Sequence, residues 1–253
     1  MENRRLTVEM GLPEGRLRVE MEVPTGEVPI EALLPALRAT ADAFVAYGAK
    51  VSEERGEPVS CAKGCGACCP QLVPIAWCEA RRIAALVEAL PEPRRSVVAG
   101  RFAEAARRIE AAGLLPALDG RRPWKAGDAE SIGMEYFRLG IPCPFLEDES
   151  CSIYADRPIA CREYLVTSDP ACCAAPTRET VRTVPLPTRV WAALSREELG
   201  VPDTEPASCV LLVLAPRWAA ANPDPGRLRS GPDTLRRVYE RFSRDRSGEG
   251  GAA

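Results

Sequence analysis

The segment Cys61-Ala-Lys-Gly-Cys65-Gly-Ala-Cys68-Cys69-Pro70 sets four cysteines around two glycines. Wrapping one chain around a metal ion requires sulfur at such close spacing across a flexible turn. Gly64 and Gly66 supply the backbone freedom and let N–H groups approach sulfur. A second, looser set follows: Cys143-Pro-Phe-Leu-Glu-Asp-Glu-Ser-Cys151, then Cys161 within Arg157-Pro-Ile-Ala-Cys161-Arg-Glu-Tyr164, then the pair Cys172-Cys173. Taking one ligand from that last pair makes four plus four. Eight thiolates complete two tetrahedral all-cysteine zinc sites or hold iron–sulfur clusters, and spacing does not choose between them. The side chains of Cys68 and Cys69 diverge, so the two are expected to serve different metals or a polynuclear centre.

The remaining composition narrows the chemistry. Among 253 residues there are 11 cysteines and no histidine. Imidazole-based catalytic triads, mixed Cys/His zinc fingers and His-bearing metalloprotease motifs are therefore excluded. The start, Met1-Glu-Asn-Arg-Arg-Leu, shows no apolar leader, so a cytoplasmic location is expected. An odd number of thiols in a reducing compartment argues against a disulfide framework. No apolar run approaches the roughly 18–20 residues that span a bilayer, so no membrane partner is expected. The net charge is -3 with basic residues scattered among acids, so nucleic acid is not expected either.

Outward from the cysteines, periodicity defines the elements. Leu6, Val8 and Met10, then Leu17, Val19, Met21 and Val23, alternate with polar residues around Gly11, Pro13 and Gly15, which predicts a β-hairpin. Leu37, Ala41, Phe44 and Gly48 recur at helical steps in a helix starting at Pro35 and ending near Gly56. Further helices are expected from Ile83, Leu86, Val87 and Leu90, stopped by Pro91, and from Val98, Phe102, Ala105 and Ile109, ending at Gly113. Residues 113–133 read as a long loop, Val190–Leu194 and Val210–Ala221 as short helices, and Leu235, Val238, Tyr239 and Phe242 as a final amphipathic helix. The expected fold is mainly α with a small N-terminal β-hairpin and an irregular cysteine-rich metal-binding core packed on helices. Its expected segments are 1–57 (hairpin and helix), 58–176 (cysteine-cluster domain), 177–244 (helical extension) and 245–253 (disordered tail).

The ordered set Cys61, Cys65, Cys68-Cys69, Glu79, Cys143-Pro-Phe-Leu, Cys151-Ser-Ile-Tyr154, Arg157-Pro158, Cys161-Arg-Glu-Tyr164 and Val166-Thr-Ser168 leading to Cys173 resembles the CxxCxxCC cysteine-cluster (YkgJ-type) proteins. These are described as zinc- or iron-chelating domains, and the resemblance covers about residues 58–176. It implies metal ligation by Cys61, Cys65, Cys68, Cys69, Cys143, Cys151, Cys161 and Cys173, favouring Cys173 over Cys172. The chain departs from the family in carrying three residues between its first two cysteines. The flagellin lysine N-methylases share a similar core. An alternative function is thus an iron–sulfur-dependent transferase using S-adenosylmethionine on a protein substrate, although no Gly-x-Gly-x-x-Gly nucleotide turn is present. A third is a metal-dependent redox-sensing or interaction module.

Other residues divide between site and scaffold. Arg157 and Arg162 flank thiolates and are candidate donors to sulfur, against the simpler reading of ion pairs with Asp156 or Glu163. Tyr154 and Tyr164 are candidate shields of the centre from water, or ordinary core residues with a polar tip. Cys78 and Cys209 sit beside aliphatic residues of expected helices and read as core. Glu79 suits a helix N-terminus, with a carboxylate ligand to iron as the alternative. Glu147, Asp148 and Glu149 read as a solvated turn.

Overall fold

The computed structural model describes residues 2–120, 128–177, 179–205 and 207–247. The helices are α1 (Leu34–Glu54), α2 (Trp77–Glu88), α3 (Arg94–Ala111), α4 (Leu115–Leu118), α5 (Asp128–Arg138), α6 (Ile159–Arg162), α7 (Val190–Leu199), α8 (Ala215–Ala221) and α9 (Gly231–Ser247). The strands are β1 (Asn3–Leu12), β2 (Gly15–Pro24), β3 (Glu27–Val28), β4 (Pro74–Ile75), β5 (Leu146–Glu147), β6 (Ser150–Cys151), β7 (Val210–Leu211) and β8 (Arg229–Ser230), paired antiparallel as β1–β2, β3–β8, β4–β7 and β5–β6. The protein is mainly α with a small antiparallel N-terminal hairpin.

The chain forms two compact units, each assembled from segments distant in sequence. One comprises Met1–Cys61, Pro158–Glu205 and Gly226–Ala253; the other comprises Ala62–Arg157 and Pro206–Pro225. The segment 58–176 contributes residues to both. In the first unit α1 packs on β2 and on α6 and α7, and α9 packs on α7 and β2. Alternation puts Val19, Met21 and Val23 of β2 into the same core as Leu37, Ala41 and Phe44 of α1 and Leu235, Val238 and Phe242 of α9. The Phe44 and Phe242 rings meet edge to face at 5.3 Å, and Tyr239 is hydrogen-bonded to Thr40 at 2.7 Å. Beside α7, the buried Glu197 carboxylate accepts from Arg237 at 2.6 Å and from Arg241 at 3.3 Å, so its charge is matched inside the unit.

In the second unit α2 packs against α3 and α8. β4 joins β7 through Pro74↔Leu211 and Ile75↔Val210, a two-residue ladder that ties the unit's two segments together. Its core gathers Ile83, Val87, Phe102, Phe145, Val210 and Trp218, with Phe102 and Phe145 edge to face at 5.4 Å. The carboxylate of Glu79 accepts the Ala76 N–H at 3.2 Å, so the helix-terminus reading of this residue holds. α3 ends as expected: Gly113 adopts a φ of 73°, and the Leu114 N–H returns to the Ile109 carbonyl at 3.1 Å.

Three expectations are corrected. The stretch read as a loop over 113–133 contains α4, where Leu118 is buried, and the start of α5; residues 121–127 of that stretch lie outside the described residues. The apolar run read as one helix from Val210 begins as strand β7, continues as a 3-10 turn over Leu212–Leu214 and becomes helical only at Ala215, because its first residues take their backbone partners from β4. α9 extends through Ser247 into the tail expected to be disordered, and 248–253 lie outside the described residues. No helix among the described residues is long and apolar enough to cross a membrane.

Candidate metal centre

In the second unit the first cysteine loop is a succession of tight turns. The Cys65 N–H donates to the Ala62 carbonyl at 3.2 Å, the Cys69 N–H to Gly66 at 2.9 Å and the Gln71 N–H to Cys68 at 3.0 Å. Gly64 adopts a φ of 90°, which a side chain would oppose. Gly66 is closely approached: a Cβ there would lie 2.8 Å from Leu146 Cδ1 and 2.9 Å from Glu149 Oε2, side-chain ends that would have to shift. The loop of Cys65, Cys68 and Cys69 is thereby pressed against the β5–β6 hairpin.

That hairpin positions Cys143 and Cys151. Its register is Leu146↔Cys151 and Glu147↔Ser150, closed by Asp148 and Glu149 at φ 47° and 57°. Both signs match a type I′ turn, the two-residue loop whose twist suits a hairpin, although neither residue is the usual Asn or Gly. Asp148 and Glu149 are exposed, as their composition predicted, whereas Glu147 is half-buried in β5 with Arg94 at 3.6 Å. Cys143 enters through a turn of its own, with the Leu146 N–H on the Cys143 carbonyl at 2.9 Å. Cys143 and Cys151 both pack against the apolar core of the unit.

The thiols of this unit act on one another. Burial pushes the Cys143 thiol up to about 11; the backbone N–H groups of Phe145 and Leu146 oppose the rise by favouring thiolate, while Cys151 and Cys68 add to it. Cys68 is pushed far above the ordinary thiol range, first by a hydrogen bond with Cys69, then by burial and the charge of Cys69; its own N–H and the Arg157 guanidinium pull the other way. Cys68, Cys69, Cys143 and Cys151 thus lie within electrostatic reach in sequence-distant pairs. Arg157 acts on Cys68 while its guanidinium lies 4.0 Å from the centre of the Tyr154 ring. Tyr154 is 55% exposed, so it lies under Arg157 rather than sealing the thiols from water.

The first unit holds Cys61, Cys161, Cys172 and Cys173 on a different kind of scaffold. The Val166 N–H donates to Cys61 Sγ at 3.3 Å, beside a bond from the Ser60 N–H to the Val166 carbonyl at 3.0 Å and one from the Ser60 hydroxyl to the Ser168 carbonyl. The 165–168 stretch is tied in turn to 182–184, with the Thr167 N–H on the Arg182 carbonyl at 2.8 Å and the Val184 N–H on Leu165 at 2.9 Å. Cys161 rides on α6. The adjacent Arg162 donates to both carboxylate oxygens of Asp42, at 3.0 and 2.8 Å, so it is ion-paired to α1. Glu163 instead caps α7, accepting the Val190 N–H at 2.5 Å. Cys173 is 3% exposed on a 3-10 turn capped by Asp169, whereas Cys172 in the same turn is half-buried.

None of the eleven cysteines is in a disulfide. The donor set, thiols with backbone N–H groups and an arginine within electrostatic reach of sulfur, suits a thiophilic ion. Among the described residues, however, no three Cys, Asp or Glu side chains are grouped closely enough to hold a metal ion as they stand. Cys78 is fully buried on α2. Cys209, expected in a helix, lies immediately before β7, and burial pushes its thiol up to about 12, as for a neutral packing residue. One neighbour escaped the sequence reading: Tyr136 of α5 is buried, and its phenol is pushed up by burial with Cys143 adding to the rise. Its only sequence signal was a helical apolar spacing with Ile132, hidden by the glycine- and proline-rich composition around it. No protein-family model, curated protein or solved structure matches this chain.

Proposed function

We propose that the protein binds zinc or iron, the latter singly or in an iron–sulfur cluster, through clustered cysteine thiolates. The observation that carries this reading is Cys143: backbone N–H groups of Phe145 and Leu146 favour its thiolate, and it lies within electrostatic reach of both Cys151 and Cys68. Hydrogen bonds of this kind offset the negative charge that several thiolates bring to one ion. In this reading the ligands are Cys61, Cys65, Cys68, Cys69, Cys143, Cys151, Cys161 and Cys173. Arg157 offsets charge at Cys68. Closing the sulfurs on an ion requires rotation of cysteine side chains on turns that have little apolar content of their own, so binding and local folding are coupled.

The YkgJ-type resemblance agrees with a zinc- or iron-chelating role in the cytoplasm. Elemental analysis and an absorption spectrum of anaerobically purified protein test the proposal. Bound iron with a broad visible band identifies a cluster, and bound zinc in a colourless sample identifies a zinc centre. Metal below stoichiometric trace, with all eleven thiols titrating freely, overturns the reading.

A further inference from the structure

The outer edge of the N-terminal hairpin is built to pair with its own copy. β1 and β2 are joined by the two-residue turn Pro13–Glu14, with register Leu12↔Gly15, Met10↔Leu17, Val8↔Val19 and Leu6↔Met21. The pair flanking a two-residue turn exchanges hydrogen bonds, and the pattern repeats at alternate residues. The even-numbered residues of β1 therefore spend their N–H and C=O groups on β2; the Glu2 carbonyl, which accepts the Thr25 N–H at 3.0 Å, continues that parity. The groups of Asn3, Arg5, Thr7 and Glu9 point away from β2, and no strand pairs with that edge among the described residues. It carries neither proline nor lysine, two common guards of an open edge.

We propose that two copies of this chain associate by antiparallel pairing of β1 with β1, Thr7 opposite Thr7. Outward-pointing residues must face each other, and this register sets Arg5 opposite Glu9 of the second copy, twice by symmetry. Within one copy Arg5 already stands across from Glu22 and Glu9 across from Arg18. The four-stranded sheet then carries the row Glu22, Arg5, Glu9, Arg18, with charge alternating across all strands. On the opposite face Leu6 and Val8, half-buried while their partners Met21 and Val19 are buried, come to lie beside Val8 and Leu6 of the second copy, giving one continuous apolar face.

Sedimentation of the full chain over a concentration series, under reductant so that thiols cannot link copies, tests the register. Wild type dimerises. Arg5→Glu and Glu9→Arg each weaken association by about tenfold or more, and mixing the two variants restores it, because each then presents the charges the other lacks. Thr7→Pro removes an outward N–H without touching β2 and leaves a monomer. A wild type monomeric at every concentration overturns the proposal, as does a dimer indifferent to both charge reversals, or one that mixing fails to restore. Circular dichroism establishes that each variant is folded; the mixing experiment decides the matter even if Thr7→Pro does not fold.

Discussion

The two units hold their cysteines by opposite means. In the first unit Cys61 Sγ accepts the Val166 N–H beside one Ser60–Val166 backbone bond, and Cys173 is buried in a capped turn, so these thiols are held in regular, well-packed structure. In the second, the thiols sit on turns shaped by local exceptions: Gly64 at φ 90°, Gly66 tightly approached by two side-chain ends, and Asp148 and Glu149 in the left-handed region. Left-handed backbone at non-glycine residues costs about 1–3 kcal/mol each and persists where the surroundings demand it. Under the metal-binding reading proposed above, the difference teaches that the second unit gives up local stability to place sulfur, and the first does not.

That contrast is open to attack from its strongest consequence downward. Cys143→Ser should abolish metal retention by the second unit's thiols while Cys172→Ser leaves metal content unchanged; elemental analysis of the two purified variants decides it, and equal losses would erase the distinction. Gly48→Ala tests the packed unit, because a Cβ there would strike the Pro185 carbonyl oxygen and lie 2.7 Å from Val184 Cγ1. Backbone cannot retreat as a side chain can, so the expected cost is about 3 kcal/mol or more in denaturant unfolding. Gly66→Ala meets chiefly side-chain ends and should cost about 1–3 kcal/mol while weakening metal retention, an effect Gly48→Ala should lack. Replacing the turn by Asp148→Asn with Glu149→Gly should do the reverse, raising stability by about 1 kcal/mol with metal content intact. An unchanged or lowered melting temperature would mean that the turn carries no strain.

The smallest effect is at Tyr239, in the packed unit. Burial pushes its phenol up to about 12, above the ordinary value near 10, with the hydrogen bond to Thr40 acting weakly against the shift. The folded state thus favours the protonated phenol. Its contribution is complete below about pH 10 and is lost as pH rises toward about 12. Tyr239→Phe should flatten that part of the stability curve, at a cost of about 1 kcal/mol at neutral pH for the lost hydrogen bond. A variant with the wild-type alkaline slope would show that another group governs it.

Local pattern carried much of the fold. The alternation from Leu6 to Val23, the helix begun around Pro35 and the stop at Gly113 were all legible because each is decided by neighbours within a turn or two. What escaped depends on distant partners. Val210 and Leu211 look like the start of a helix until Pro74 and Ile75 claim their backbone, and that also moved Cys209 out of its expected helix. Of the candidate site, the thiols and the glycines between them were legible as chemistry, but their division between two units was not. Arg162 finds its carboxylate on α1, on Asp42, which no spacing announces. Tyr136 likewise reaches the neighbourhood of Cys143 only through tertiary packing.

The interleaving of the units bears on the order in which the protein is made. The hairpin and α1 are made before α6, α7 and α9, on which they pack and which follow only after the whole of Ala62–Arg157 has been synthesised. At about 5–20 residues per second, that delay is on the order of ten seconds. During it Phe44 and Leu37 have no helix to cover them, and the open edge of β1 is already displayed. The nascent hairpin and α1 therefore pass that interval without the helices that bury their apolar residues in the finished fold.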